Sequence, residues 1–540
     1  MVKLKEKPAD KIGKAEESTT TRSGIPVKAV YTPADLNGWN YQKKLGSPGE
    51  YPYARSVAKS VARARNAAVS ANQYAGFGTP EATNEWFKYC LSQGATSVSA
   101  ALDLPSQIGY DSDHPMALGE VGKAGVSINS LADMEIMLDG IPIDQFAVGS
   151  VVSAIGPIFM AWSIAINQKR KIPLKNMHLQ LQNDCLKEFI ARGTQIFPIR
   201  PSVKTSCDCV EFCARNEIKN SRPMSVCGLH MRQGGSTAPQ EMAFTLANAV
   251  AYYEDLVARG LDVNTFAPYI ATSLGSGIDL FEEIAKSRAY RRMWARVMKE
   301  KFGSNTPPSL SIRVNGREFT PVQPLNNIVR ATIGLLGVVL GGAGMAGSAS
   351  YDEALALPTE EAVTVTLRMM QIVAHESGVF NTIDPMAGSY YVESLTDAVE
   401  EKAMELFQKV EDMGGAIPAI EQGFQSREIA RSAYEKLRQV ESGERVWVGV
   451  NKYVSSEKLK IEIRKVDPKE EQRQVVKVRK LRKERDNAAV KAALKQLKGA
   501  AKEGVNLIPV LVDVVKTYAT VGEICDTLRG VYGEYKATGL

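Results

Sequence analysis

The stretch "MSVCGLHMRQGGSTAPQEMAFTLANAVAYYEDLVARG", residues 224–260, holds one complete repeat of the predicted fold. It starts with a short apolar run of strand length that ends near His230. A loop rich in glycine and serine follows, and from Pro239 onward the apolar residues recur at helical spacing. A strand, a loop and an amphipathic helix in this order are typical of the βα unit of a parallel sheet.

Similar strand-length runs recur along the chain, each followed by a loop and helix-like spacing. They are "TSVSAALDLP" (96–105), "QFAVGSVVS" (145–153), "MHLQLQ" (177–182), "APYIATSL" (267–274) and "LSIRV" (310–314). This number of βα units favours a closed barrel over an open sheet. We therefore predict an α/β fold in which residues 25–455 form a (β/α)8 TIM barrel.

Composition changes at both ends of the predicted barrel. Residues 1–24 are polar, charged and rich in serine and threonine, which predicts a flexible N-terminal arm. Residues 456–540 predict a helical C-terminal extension, with a charged helical stretch at 469–504 and one last apolar helix at 507–536. We interpret the basic run from Lys477 to Arg485 as a solvated helix face rather than a nucleic-acid patch.

Charge and hydropathy exclude several classes of protein. A net charge of +6 over 540 residues does not suggest nucleic-acid binding. The sequence has no apolar run of membrane-spanning length and no apolar signal segment, so we predict a cytoplasmic protein without a membrane partner. Seven cysteines without a regular frame indicate reduced thiols. Cys207, Cys209 and Cys213 lack a second half of a zinc motif and lie in a predicted helix, so we predict no metal.

His230 could be a packed core residue, a metal ligand or a group that handles protons. In a TIM barrel the functional groups gather at the C-terminal ends of the strands, and the sequence places His230 and Gln182 at such ends. Ser153, Ser273 and Arg313 fall at similar positions. No second histidine or carboxylate stands at ligand spacing from His230, which argues against a metal and favours a functional histidine.

Several long motifs identify a family. They are "NQYAGFGTPEATNEWFKYCLSQGATSVSAALDLPSQIGYD" (72–111), "QNDCLKEFIARGTQIFP" (182–198), "GLHMRQGGSTAPQE" (228–241), "SYDEALALPTEEA" (350–362), "IDPMAGSYYVESLTD" (383–397) and "VGVNKYV" (448–454). They closely resemble the catalytic barrel of the methylmalonyl-CoA mutase family, the adenosylcobalamin-dependent acyl-CoA mutases. The remaining residues, to 540, are similar to the C-terminal extension of stand-alone large subunits.

The resemblance implies a cofactor and a partner. Such mutases move the thioester group of an acyl-CoA between neighbouring carbons by radical chemistry, which adenosylcobalamin supplies. A cobalamin-binding domain of the family carries an Asp-x-His-x-x-Gly motif, and none of the four histidines here fits it. We therefore expect a separate small subunit to bind most of the cofactor, in a heterotetramer, with the C-terminal extension as a contact.

The resemblance also assigns roles to five residues. Tyr74 would hold the substrate carboxylate and press on the adenosyl group, and Arg192 would bind the free carboxylate. His230 would hydrogen-bond the thioester carbonyl, with Gln182 beside it, and Glu353 would bind the ribose of the adenosyl group. Without the resemblance, Tyr74 reads as a partly buried barrel tyrosine and Arg192 as a solvated helix arginine.

Tyr74 and Arg192 together predict the substrate class. Family members that act on monocarboxylic esters change both positions, because a buried arginine without a carboxylate is costly. Their retention here indicates a dicarboxylic acyl-CoA. The hydroxyacyl branch carries an acid on the first barrel strand where this chain has Ala101, so that branch is disfavoured.

The departures from the family pattern suggest a larger acyl group. "SVARARNAAVSANQY" (60–74) and "GGAGMAGSAS" (341–350) carry alanine, glycine and serine where the family has aromatic and large polar residues. Because an aromatic side chain covers roughly 150–250 Å², these losses should open space. We predict an aryl- or alkyl-succinyl-CoA that is converted to a branched malonyl-CoA. Arg63, Arg65 and Arg317 remain as candidate CoA ligands.

Two alternatives stay open at this point. The chain could be a methylmalonyl-CoA mutase with a divergent CoA channel. It could also be a catalytically silent partner subunit, although the joint presence of the five site residues argues against that role.

Overall fold

The computed structural model describes residues 19–68, 72–314, 316–455, 467 and 469–536. The strands are β1 Thr19–Thr20, β2 Pro26–Val27, β3 Asn72–Ala75, β4 Ser97–Ala100, β5 Ala147–Ser150, β6 Leu179–Leu181, β7 Met224–Cys227, β8 Ile270–Ser276, β9 Leu310–Val314 and β10 Gly344–Ser348. The α-helices are α1 Tyr41–Lys44, α2 Val61–Ala68, α3 Pro80–Ser92, α4 Leu104–Gln107, α5 Leu131–Met137, α6 Gly156–Lys169, α7 Ile199–Arg215, α8 Leu229–Gly234, α9 Ala238–Ala258, α10 Val263–Phe266, α11 Leu280–Phe302, α12 Asn326–Leu340, α13 Glu360–His375, α14 Tyr390–Asp412, α15 Ala416–Glu421, α16 Phe424–Glu441, α17 Lys469–Glu484, α18 Asn487–Glu503, α19 Ile508–Lys516 and α20 Val521–Tyr532.

Two parallel sheets form the centre of the fold. Strands β3, β4, β5 and β6 pair in sequence order in one four-stranded sheet, and β7, β8, β9 and β10 do so in the other. Between β6 and β7, the Leu181 N–H donates to the Arg222 carbonyl at 2.9 Å. At the other edges, β10 lies beside β3. The α/β fold with parallel sheets is therefore confirmed, as are all six predicted strands.

The helix after β7 illustrates why the βα repeat forms. Thr237 caps α9: its side chain accepts the Gln240 N–H at 3.3 Å, and the Gln240 side chain accepts the Thr237 N–H at 2.9 Å. Pro239 lies in the first turn, where its missing N–H costs nothing. Nearly all side chains of α9 are buried, because the helix packs between the sheet and helices α7, α11 and α14.

The sequence patterns did not predict strands β3 and β10. Their sequences, "NQYA" and "GMAGS", contain no β-branched residue and little apolar alternation. Pairing with a neighbour determines them instead, since Tyr74 stands opposite Ser99 of β4. Ala101 directly follows β4, so the position that we assigned to the first barrel strand lies just past the end of the second strand of the first sheet.

The C-terminal helices pack onto the sheet-bearing part of the chain. The predicted last apolar helix is in fact two helices, because Thr520 caps a new helix there and its N–H donates to Glu523 at 2.9 Å. α19 packs against α6 and α7. Burial of this apolar helix fixes the extension to the rest of the chain.

The basic run in α17 is only partly solvated, which corrects our interpretation. Arg482 forms an ion pair with Asp113 at 2.8 Å, and Lys477 forms one with Glu81 at 2.9 Å. Lys480, in contrast, is exposed. Half of the basic residues of the run therefore anchor the extension, to helix α3 and to the loop after α4.

The chain ends bear on the predicted domain boundaries. Residues 1–18 of the predicted arm, and residues 456–466, 468 and 537–540 of the predicted extension, lie outside the described residues. Thr19 and Thr20 pair with β2, and buried Thr21 donates a hydrogen bond to Glu282 at 2.6 Å. The three domain boundaries stay predictions. In the described part of the chain, no helix is both long and apolar enough to cross a membrane.

Candidate active site

One cavity of about 920 Å³ lies among the parallel strands. All eight of these strands contribute to its wall: Tyr74, Ala75, Ser99, Gly149, Ser150, Gln180, Leu181, Ser225, Ala271, Ser273, Ser311, Arg313 and Gly344. Most of these side chains are serine, alanine or glycine, so they leave the space between the strands open. The cavity reaches residues at both ends of the strands, and the two ends differ in chemistry.

Four sequence-predicted residues meet at the C-terminal end of the strands. Tyr74, Gln182, Glu353 and Arg313 all line the cavity there. The carboxyl ends of parallel strands converge, which is why residues so distant in sequence come together. Burial raises the pKa of Tyr74, although the positive charge of Arg192 acts in the opposite direction. Tyr74 is therefore a neutral phenol within electrostatic range of Arg192.

Arg192 is held rigidly beside this end of the cavity. It ends a π-helical turn, Glu188–Arg192, a rare geometry that is often found at functional sites. Its guanidinium donates to the Val151 carbonyl at 3.3 Å, to Glu188 at 3.1 Å and to Thr194 at 3.2 Å. It also donates a hydrogen bond to the side-chain oxygen of Gln107. The reading of Arg192 as a solvated helix arginine is therefore wrong.

Arg192 and two charged neighbours, Lys187 and Glu188, form a group with one positive charge in excess. Lys187 is fully buried and forms an ion pair with Glu188. Burial alone would raise the pKa of Glu188, but the charges of Lys187 and Arg192 outweigh it and hold that pKa well below its usual range. Burial lowers the pKa of Lys187, the charge of Glu188 opposes this, and the charge of Arg192 adds to it. With Lys187 protonated in its ion pair with Glu188, the three groups Lys187, Glu188 and Arg192 carry a net charge of +1. A buried excess charge is costly unless an anion pairs with it.

His230 lies in α8, directly after β7, between the cavity residues Leu229 and Gln233. Burial lowers its pKa well below 6.5, and the positive charges of Lys187 and Arg192 lower it further. The imidazole is therefore neutral at neutral pH. A neutral imidazole has one N–H donor and one acceptor nitrogen, and the contacts of the ring decide which nitrogen carries the proton.

Cys227 connects His230 to Gln182. The Gln182 amide Nε2 lies 3.0 Å from Cys227 Sγ, and Cys227 Sγ lies 3.5 Å from His230 Nδ1. All three side chains come from the ends of the neighbouring strands β6 and β7. The structure therefore brings the side chains of Gln182 and His230 into contact with the same cysteine.

Glu353 lies in the turn after β10 and faces the cavity. Burial raises its pKa, and the charge of Arg313 opposes the rise. Gly316 makes room for it: a Cβ added at Gly316 would stand 2.6 Å from the Glu353 carboxylate oxygen Oε1. The carboxylate is thus held by a close approach that only glycine permits.

The opposite end of the cavity carries different groups. His178 precedes β6, while Lys219, Asn220 and Arg222 precede β7, and all four line the cavity. The Arg222 guanidinium donates to the Lys219 and Ser221 carbonyls, each at 3.1 Å. This end can bind a group with several negative charges.

Two of the three predicted CoA ligands lie outside this cavity. Arg63 and Arg65 lie on α2, and neither lines the described cavity. The side chain of Arg317 lies outside the part that the structure describes. Sequence reasoning missed Lys219 and Arg222, because they stand before a strand, where no motif marks them.

Among the described residues, no group of three or more histidine, cysteine, aspartate or glutamate side chains is arranged to hold a metal ion. Cys207, Cys209 and Cys213 lie in α7 and are buried. Burial raises their pKa values, so the thiols stay protonated.

Known proteins resemble this chain over nearly its whole length. A family model described as methylmalonyl-CoA mutase matches residues 20–534. The chain is 41% identical to the 2-hydroxyisobutanoyl-CoA mutase large subunit of Aquincola tertiaricarbonis, over 97% of this chain and 93% of the relative. It is 38% identical to the methylmalonyl-CoA mutase of Rhizobium meliloti (strain 1021), over 96% and 73%, and 35% identical to that of Escherichia coli (strain K12), over 95% and 72%.

Proposed function

The chain belongs to the methylmalonyl-CoA mutase family, and from this we propose that it is the substrate-binding large subunit of an adenosylcobalamin-dependent acyl-CoA mutase. Its reaction is the 1,2-migration of the thioester group of a dicarboxylic acyl-CoA. The acyl group is bulkier than that of methylmalonyl-CoA, as in an aryl- or alkyl-succinyl-CoA that forms a branched malonyl-CoA.

The proposal includes a closed (β/α)8 barrel. Eight parallel strands line one cavity, β6 and β7 are joined by hydrogen bonds, and β10 lies beside β3. These contacts favour closure of the two sheets around a common axis. Most barrels of this type fill their axis with branched side chains, whereas the serine, alanine and glycine residues here leave it open. The cavity is then a channel along the barrel axis.

The excess positive charge beside Arg192 is the observation that carries the proposed substrate class. A dicarboxylic ester brings one free carboxylate, which would neutralise the group formed by Lys187, Glu188 and Arg192. Tyr74 could donate a second hydrogen bond to the same carboxylate. A monocarboxylic ester has no free carboxylate, so it would leave the excess positive charge beside Arg192 without a partner.

The channel can also account for the rest of the substrate. An extended pantetheine arm would fit between the small side chains, and the CoA phosphates would meet Lys219 and Arg222 at the far end. The thioester would then lie at the other end, near His230 and Gln182. The small residues Ala101, Gly344 and Ala356 line the cavity and leave room for a bulky acyl group.

Replacing Lys219 with glutamine tests this path for CoA. We expect KM for the acyl-CoA to rise about fivefold to tenfold, with kcat unchanged, because a phosphate contact far from the reacting carbons acts on binding alone. Lys175→Gln, an exposed lysine nearby, is the matched control and should change neither constant. An unchanged KM in Lys219→Gln would place the phosphates elsewhere.

The proposed cofactor fits the residues at the C-terminal end of the strands. Bound adenosylcobalamin supplies the radical that removes a hydrogen from the substrate and returns it. Glu353 would offer a carboxylate to the ribose hydroxyls, and Tyr74 lines the same cavity. Since no histidine of these 540 residues fits the Asp-x-His-x-x-Gly motif, we propose that a small cobalamin-binding subunit provides the cobalt ligand, in a heterotetramer.

Gly316→Ala tests the placement of Glu353. The added methyl would displace the carboxylate, and we expect the adenosylcobalamin concentration for half-maximal activity to rise about tenfold, as for the loss of one charged hydrogen bond. Gly530→Ala is the control, because a Cβ there meets nothing within 4 Å. If both variants reach half-maximal activity at the same adenosylcobalamin concentration, Glu353 does not contact the cofactor.

The similarity to a 2-hydroxyisobutanoyl-CoA mutase large subunit does not by itself fix the acyl group. Ala101 lines the cavity and cannot accept a proton or bond a hydroxyl group, which favours a dicarboxylic substrate over a hydroxyacyl one. The excess positive charge beside Arg192, and the cations Lys219 and Arg222 at the far end of the cavity, argue against a silent subunit. The seven free, buried cysteines suit a reducing compartment, and we place the protein in the cytoplasm.

A binding experiment without cofactor tests the substrate class directly. Calorimetric titration of the chain with phenylsuccinyl-CoA and with phenylbutyryl-CoA compares esters that differ mainly in the free carboxylate. We expect the dicarboxylic ester to bind at least about tenfold more tightly, as expected for a charge-assisted bond. Equal affinities would contradict the role of the excess charge.

A further inference from the structure

A chain of three polar side chains leads from the cavity wall to His230. Gln182 approaches Cys227 Sγ with its amide Nε2 at 3.0 Å, while the Gln182 oxygen Oε1 has no hydrogen-bond partner among the described residues. Cys227 Sγ then contacts His230 Nδ1 at 3.5 Å. Cys227 is fully buried, so water does not compete for these contacts.

The Cys227 sulfur has a proton to donate. Burial raises the pKa of this thiol to about 12, even though the charge of Lys187 and the backbone N–H groups of His230 and Leu229 act in the opposite direction. At neutral pH it is therefore a thiol, with one S–H donor and weak acceptor capacity.

The surroundings of the sulfur decide where this proton points. The Gln182 amide presents a donor to the sulfur at 3.0 Å. The backbone N–H groups of Leu229 and His230 also lower the pKa of the thiol, as hydrogen-bond donors do. His230 Nδ1 is the remaining contact, and it accepts a hydrogen bond only when it carries no proton. If Nδ1 were protonated, the thiol would face donors alone and its own proton would lack an acceptor.

We propose that Cys227 is a positioning residue that fixes the tautomer of His230, with Nδ1 accepting the thiol proton and Nε2 carrying the ring proton. The consequence for catalysis rests on the proposed function, because an Nε2–H group can donate to the thioester carbonyl and a bare nitrogen cannot. Gln182 orients the thiol and Cys227 orients the imidazole. The donor is thereby preorganised before the substrate binds.

Nitrogen-15 NMR of the full chain, labelled at histidine, tests the tautomer without substrate, cofactor or partner. The chain has four histidines, and the His230 signals are assigned by their loss in His230→Gln. The wild-type chain should show a protonated Nε2 and an unprotonated Nδ1 at neutral pH. Cys227→Val should move both nitrogen shifts toward an average of the two tautomers. Cys213→Val, at another buried cysteine, is the control and should leave them unchanged.

Activity of the assembled mutase is the second readout. Cys227→Val should lower kcat about tenfold, less than the roughly 10²-fold loss of a deleted oxyanion donor, with KM little changed. Cys227→Ser should stay within about threefold of wild type, because a hydroxyl also has one donor and two acceptor sites.

The two readouts separate the possible failures. A protonated Nδ1 in the wild type, or unchanged His230 shifts in Cys227→Val, would overturn the inference. If the His230 nitrogen shifts move as expected in Cys227→Val while the wild-type chain shows no mutase activity, that result would support the inference and count against the proposed function. A loss of kcat without any change of the shifts would show a merely structural role and would also overturn it.

Discussion

Replacing Arg192 with glutamine is expected to lower kcat/KM for a dicarboxylic acyl-CoA about a thousandfold, or about 4 kcal/mol, as for truncation of one partner of a buried charge pair. Glu188 would still pair with Lys187, so the fold should survive the change. The excess positive charge would be gone, however, and the free carboxylate of the substrate would be buried without a partner.

The same variant should narrow the difference between substrate classes. In Arg192→Gln, the monocarboxylic analogue should be turned over about as well as the dicarboxylic ester, because no excess charge penalises it. Arg215→Gln removes an exposed arginine that pairs with Glu211 and serves as the control. If Arg192→Gln keeps full activity on the dicarboxylic ester, Arg192 does not bind the carboxylate. Steady-state kinetics on both esters gives the answer.

Replacing His230 with alanine is expected to lower kcat about 10²- to 10³-fold, the usual cost of removing a donor that stabilises a developing negative charge. Binding of the substrate should change little, since Arg192 and the CoA contacts remain. His375→Gln, at an exposed histidine on α13, should leave kcat unchanged. A His230→Ala enzyme with unaltered kcat would remove His230 from the mechanism.

The pH profile gives an independent check on His230. Its pKa in the folded chain lies well below 6.5, because burial and the three nearby cations Lys187, Arg192 and Arg313 oppose protonation. The imidazole thus stays neutral between pH 6.5 and 8, and kcat should show no ionisation of this residue there. On acidification below about pH 6.5, the unfolded chain binds a proton that the folded chain rejects, so the stability contributed by this residue falls. His230→Ala should weaken that dependence.

The sequence predicted the parts of the fold that depend on local pattern. The residues of "LSIRV" and of the capped helix α9 are sufficient to predict a strand and a helix. β3 and β10 do not, because pairing with neighbours determines them. The break before α20 was also missed, since one threonine cap outweighed a continuous apolar pattern.

The candidate site, too, was predicted only in part from the sequence. Motif resemblance identified Gln182, Arg192 and His230. Gln182 lines the cavity, Arg192 donates a hydrogen bond to the cavity residue Val151, and His230 follows the cavity residue Leu229. Neither the excess charge around Lys187 nor the contact between Cys227 and His230 was predicted. Each joins residues that are close in sequence, but it depends on their burial and on the local turn conformation, which the spacing alone does not show. The cations Lys219 and Arg222 were missed because only the folded sheet brings them to the cavity.

One measurement tests the central claim most directly. The chain is mixed with a separately expressed cobalamin-binding subunit and adenosylcobalamin, and is offered phenylsuccinyl-, branched alkylsuccinyl-, succinyl- and methylmalonyl-CoA. Isomers are resolved by chromatography and mass spectrometry. The proposal predicts turnover of the bulky dicarboxylic esters, with little or none of succinyl- and methylmalonyl-CoA. Rapid turnover of methylmalonyl-CoA would contradict the enlarged acyl site, and no turnover of any ester would contradict the mutase function itself.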